Sequence, residues 1–178
     1  LVRQTTSDGR DLSYWMLETI REFAAEALAA SGELDVLRER HLELFAGLAR
    51  EAREGLEGAE SGEWLSRFER DLANLRAAFA YAAESDRRDA AATLAIALSV
   101  RHFLRGRYSE AEGVIRDGLA LDLDPLSSAE LQDRLARVLR VQGRPDEALD
   151  AFRAAERTLE ELPERDGAWW GLWIDLRL

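Results

Sequence analysis

The second half of the chain repeats itself at an offset of 37 residues, and this self-similarity limits the possible folds more than any other feature. The shift aligns Leu94 with Leu131, Leu98 with Leu135, Gly106 with Gly143, Arg107 with Arg144, Glu110 with Glu147, Ala111 with Ala148 and Ile115 with Phe152. A period in this range marks supersecondary units that cannot bury their apolar faces alone and gain a continuous core by stacking. Each unit reads as a helix, a tight turn at glycine and a second helix. Ser99, Ala136, Ala111 and Ala148 are small where the two helices of a unit must approach closely.

The units span about 92–125 and 129–162, and a third begins at Asp166. Pro145 fits the first turn of a helix, where its missing N–H costs nothing. Ser127 and Glu130 have the spacing of a capping box. The third unit carries Trp169, Trp170, Trp173 and Ile174 and stops at Leu178, without a second helix to cover it. Together with the start at Leu1, this reads as a segment of a longer protein.

Upstream of the repeats, apolar residues recur at helical spacing. Ile20, Phe23, Ala24, Ala27 and Leu28 form one stripe, ended by Ser31-Gly32. Leu37, His41, Leu44, Phe45 and Leu48 form the inner face of a helix over about 34–56, and Trp64, Leu65, Phe68, Leu72, Leu75 and Phe79 that of a helix begun at Ser61. Before Glu18 the pattern differs. Leu1–Gln4 and Ser13–Leu17 look extended and flank Asp8-Gly9, a favoured hairpin turn. The alternative there is a frayed terminus.

Composition narrows the function. The formal net charge is −11, which disfavours contact with phosphate backbones. All 24 basic residues are arginine; with the abundant alanine this matches a GC-rich bacterial coding sequence. No cysteine is present, so disulfides, thiolate metal sites and cysteine nucleophiles are excluded. The longest apolar stretch, 90–100, is too short to span a bilayer. A cytoplasmic location is the expectation.

The unit over 129–162 resembles a tetratricopeptide (TPR) repeat, with Leu135-Ala136, Leu139, Gly143, Ala148, Phe152, Ala155 and Pro163 at the pattern positions. The earlier unit is looser, with His102 and Gly118 where larger or apolar residues are usual. Tyr14–Leu28 (YWMLETIREFAAEAL) resembles the end of a winged-helix domain in large bacterial STAND-type regulatory ATPases of the LuxR and AfsR types. Arg38–Ala49 (RERHLELFAGLA), Phe68–Ala82 (FERDLANLRAAFAYA) and Phe103–Ile115 (FLRGRYSEAEGVI) are similar to that family's later helices, in the same order. The resemblance spans nearly the whole chain. It implies residues 1–30 as the end of a winged-helix-like domain, 31–86 as a helical linker pair and 87–178 as TPR-like repeats. It also implies nucleotide-binding and any DNA-binding domains elsewhere in the parent; this sequence carries no Walker-type loop.

Candidate chemistry is sparse. His41 and His102 are too few for a histidine metal site, and Asp122 and Asp124 read as solvated loop carboxylates. Catalytic, cofactor and metal residues are expected to be absent. TPR geometry would place Glu130, Asp133, Arg137, Arg140 and Val141 on a concave face, with Trp170, Ile174 and Arg177 from the last helix. Of these, Asp133, Arg137, Arg140, Trp170, Ile174 and Arg177 are the candidate partner-binding residues, since guanidiniums beside an aromatic suit recognition of an acidic protein or peptide. The alternative is a solvated face with Trp170 packed on its neighbour. The equivalent residues Thr93, Ile96, Val100, Phe103 and Leu104 are mostly apolar, so that helix should be buried under the N-terminal helices. The tryptophans have three readings: core against Leu159 and Leu162, a surface for a further helix, or a homodimer patch.

The expected architecture is all-α, an α–α superhelix (TPR-like solenoid) with a small N-terminal β-hairpin remnant. The expected function is a non-catalytic interaction or sensor arm of a bacterial regulator. The alternative is a structural spacer or self-assembly module.

Overall fold

The computed structural model describes residues 2–7, 11–58, 61–163 and 165–177. Two compact units divide the chain, Leu1–Arg40 and His41–Leu178. In the first, β1 (Val2–Ser7) and β2 (Asp11–Met16) pair antiparallel, from Val2 opposite Met16 to Ser7 opposite Asp11. The Asp8-Gly9 turn lies outside the described residues. Helix α1 (Glu18–Ser31) ends where Gly32 turns left-handed at φ 78°. The Ser31 hydroxyl closes that end by donating to the Leu28 carbonyl and accepting from the Glu33 N–H.

The second unit holds the rest of α2 (Leu34–Glu57), then α3 (Ser61–Glu84), α4 (Arg88–Leu104), α5 (Tyr108–Leu119), α6 (Pro125–Val141), α7 (Pro145–Glu160) and α8 (Gly167–Arg177). From α3 onward each helix packs on the next, and α6 also touches α4 and α8. Helices α4, α6 and α8 therefore stack on one another, an arrangement consistent with an α-helical superhelix.

The two repeated turns superimpose bond for bond. After α4, the Gly106 N–H donates to the Phe103 carbonyl and the Arg107 N–H to that of His102; after α6, Gly143 donates to Arg140 and Arg144 to Leu139. Gly106 and Gly143 sit at φ 68° and 77°, a region that a Cβ disfavours. Gly143→Ala should therefore cost about 1–2 kcal/mol, read as a lower urea midpoint at unchanged slope. Gly118 has a different role. A Cβ there would meet Leu131 Cδ1 at 3.0 Å and Ala95 Cβ at 3.1 Å, so its lack of side chain lets α5 seat against α4 and α6.

The cores pass along the stack. Leu42, Phe45 and Leu56 of α2 join Phe68 and Leu75 of α3 and Leu94 and Leu98 of α4. Ala95 and Ile96, on another side of α4, pack with Ile115 and Leu131. Because α4 serves both clusters, every residue from Ala91 to His102 except Thr93 is buried. Burying apolar surface on all sides of one helix is what an apolar run without a polar face requires.

Helix α6 corrects one expectation. Its N-cap is Asp124, whose Oδ1 accepts the Ser127 N–H at 3.0 Å, with Pro125 in the first turn. The Ser127–Glu130 capping box does not form, because Asp-Pro starts the helix three residues earlier. Glu130 is thereby released to other partners.

Candidate functional site

The inner faces of α4, α6 and α8, with the end of α2, enclose an open hollow of about 780 Å³. Val100, Phe103 and Leu104 make an apolar wall on α4, and Ala168, Gly171 and Leu172 line it from α8. Helix α6 contributes Glu130, Asp133, Arg134 and Arg137, and α2 contributes Arg53. A second hollow of about 250 Å³ adjoins it, lined by Arg50, Leu56, Thr93 and Ile96 and sharing Arg53, Val100 and Arg134 with the first.

Helical spacing assembles the polar side. Glu130 and Arg134 are one turn apart, as are Asp133 and Arg137, so each carboxylate meets a guanidinium. Arg134 Nη2 donates to Glu130 Oε1 at 2.9 Å, and Arg137 Nε to Asp133 Oδ2 at 2.8 Å. Glu130 also accepts from Arg53 Nη2 at 2.5 Å, a bond joining helices 77 residues apart in sequence. Both carboxylates are buried, and these charge-assisted bonds offset the loss of their water.

The anticipated residues divide. Asp133 and Arg137 line the hollow. Arg140 is exposed and lies off its lining, as do Trp170 and Ile174. The Arg177 side chain lies outside the described residues. Helix α8 turns Ala168, Gly171 and Leu172 inward because Trp169 sets its rotation. That indole is buried, donates from Nε1 to the Leu159 carbonyl at 2.8 Å and stacks on Trp173 at 5.0 Å. Asp166 caps the helix by accepting the Trp169 N–H at 2.9 Å.

Arg50, Arg53 and Arg134 did not figure among the anticipated residues. A signal for Arg53 was present, since it lies in the spacing of Ala49 and Leu56, a lone cation on an apolar stripe. Asp122 and Asp124 are a partner of Arg88 and a helix cap, respectively.

A second polar cluster lies away from the hollow. Arg101 of α4 is completely buried; its Nη2 donates to Glu69 Oε1 of α3 at 2.5 Å, and its Nη1 lies 3.0 Å from His102 Nδ1. Arg105 Nε also reaches Glu69, at 3.2 Å. The Arg101 hydrogen bond, helped by the nearby arginine charges, holds the Glu69 carboxyl below the usual range. Burial, reinforced by Arg101 and Arg76, pushes His102 down to about 4.

Among the described residues no three histidine, aspartate or glutamate side chains gather as a metal site, and no helix is long and apolar enough to cross a membrane. Fold and hollow together define an α-helical stack with an open groove of mixed polarity. In comparisons with protein-family models, curated proteins and solved structures, nothing matches the chain.

Proposed function

We propose that this chain is a non-catalytic protein-interaction or sensor arm of a larger bacterial regulator, a TPR-like array that seats a partner in the groove of α4, α6 and α8. The groove carries the reading: its apolar wall can bury a side chain while fixed guanidiniums and carboxylates orient the backbone around it. The matching turns at Gly106 and Gly143 support the repeat assignment. The paired strands ahead of α1 fit the end of a winged-helix domain, and the order of the motifs fits the STAND-type regulators. In that setting the array would receive a partner and pass its position to an ATPase module elsewhere in the parent protein, in the cytoplasm.

The test is a peptide-display screen on the full 178-residue chain, with selected binders measured by fluorescence anisotropy. Arg137→Ala, which removes a groove guanidinium, should weaken binders at least tenfold, whereas Arg140→Ala, off the groove, should leave them unchanged. Equal sensitivity to both, or no binders at all, would refute the groove as the site.

A structural spacer is the competing reading, and one observation favours it: the bridge from Arg53 to Glu130 ties α2 directly to α6. If stiffening is the sole role, Arg53→Ala lowers stability and no peptide competes for the groove. The exposed Trp170 and Ile174 keep homodimerisation open as part of that reading, checked by light scattering of the wild type against Trp170→Glu.

A further inference from the structure

Resting on the groove reading, we propose that the occupant is an acidic, apolar-containing peptide segment of the partner, its carboxylates held by Arg50 and by Arg53 in exchange for Glu130. The first argument is charge. The chain is strongly acidic, at −11, yet among the described residues lining the two adjoining hollows four arginines face two carboxylates. Positive lining inside an acidic surface focuses attraction on the groove and repels anions elsewhere.

The second argument is geometric. Glu130 already shows how a carboxylate sits between guanidiniums of α2 and α6, with Arg53 at 2.5 Å and Arg134 at 2.9 Å. Arg50 lies one turn before Arg53 on α2, lines the adjoining hollow and makes no ion pair among the described residues. The Arg53 side chain remains 58% exposed, so its fork is open to a second acceptor. An incoming carboxylate can take these donors while Glu130 keeps Arg134.

The wall beside them selects the rest of the ligand. Leu104 is 46% exposed and lines the hollow with Val100 and Phe103. Such a surface rewards an apolar side chain next to the acidic ones. A bare inorganic anion cannot use it, and a nucleic acid would meet the net negative charge of the surrounding surface.

The experiment measures three dye-labelled octapeptides by anisotropy on the full chain: alternating glutamate and leucine, its glutamine isostere, and oligoglutamate, with tripolyphosphate as competitor. The glutamate–leucine peptide should bind at least tenfold tighter than the other two and weaken as salt rises. Arg50→Glu, at an exposed residue outside any described ion pair, should weaken it at least tenfold without unfolding the chain. Leu104→Ser should weaken it several-fold, and Glu130→Gln should strengthen it by removing the internal competitor. If display-selected peptides lose affinity on Leu104→Ser but ignore Arg50→Glu and glutamine substitution, the acidic partner is refuted and the groove reading stands. If oligoglutamate or tripolyphosphate binds as tightly as the glutamate–leucine peptide, the site is a generic anion site and the peptide proposal fails. If neither the octapeptides nor any display-selected peptide binds, the groove reading itself fails.

Discussion

Arg101→Ala is expected to destabilise the His41–Leu178 unit by about 3–5 kcal/mol, the range for emptying a large buried site and breaking a buried charge pair. Arg101 is 0% exposed and bridges α4 to α3 through Glu69, with His102 on its other side. Truncation leaves a cavity at a fully buried position and removes the donors that the Glu69 carboxylate and His102 Nδ1 use. Glu69 remains 38% exposed, so water can reach it and moderate its share. Arg101→Met separates the causes. It fills most of the volume with apolar atoms and should cost only about 1–2 kcal/mol, because no large cavity forms and the Glu69 carboxylate left behind is exposed enough to be hydrated. Urea unfolding of the two variants checks this: equal losses would show that charge, not volume, dominates.

The second large effect is acid sensitivity from His102. This ring is 2% exposed, and its folded pKa, pushed down by burial first and by Arg101 and Arg76 next, lies at about 4 against 6.5 in the open chain. Below pH 6.5 the unfolded state takes up a proton that the folded state refuses. Its contribution is therefore complete above pH 6.5 and is lost as pH falls towards 4, by at most about 3 kcal/mol. Glu69 and Glu112 act lower. Burial pushes Glu112 up, but hydrogen bonds from Arg144, Arg116 and Gln142 outweigh it, and both carboxyls lie below their ordinary value of 4.5. Their stabilisation is present above that value and lost beneath it. His102→Gln, which can still accept from Arg101, should flatten the stability profile between pH 6.5 and 4 while leaving the steeper fall below. Chemical denaturation across pH 4–8 reads both windows; a profile unchanged by His102→Gln would assign the acid loss to carboxylates alone.

Helix positions were legible in the sequence because they depend on neighbours within a turn or two. The periodic stripes, Gly32, Gly106 and Gly143 at left-handed stops, and Pro145 in a first turn are local instructions, and the helices follow them. The start of α6 was misread by a few residues, because two local signals competed and Asp124-Pro125 prevailed over Ser127.

The groove was only half legible. Asp133 and Arg137 could be placed because they share a face with the repeat pattern, one turn apart on one helix. Arg53 could not be paired with Glu130, nor Arg101 assigned to Glu69, since those partners lie 77 and 32 residues away. Helix α8 shows the same limit. Repeat spacing points to Trp170 and Ile174 as groove residues, but burial of Trp169 and its bond to Leu159 rotate Ala168, Gly171 and Leu172 inward instead. The sequence by itself determined which segments are helical, where glycine stops them and which stripe of each is apolar, through short-range hydrogen bonding and periodicity. Tertiary structure alone decided which charges pair between helices and which face of α8 lines the groove, because packing settles those choices among residues far apart in the chain.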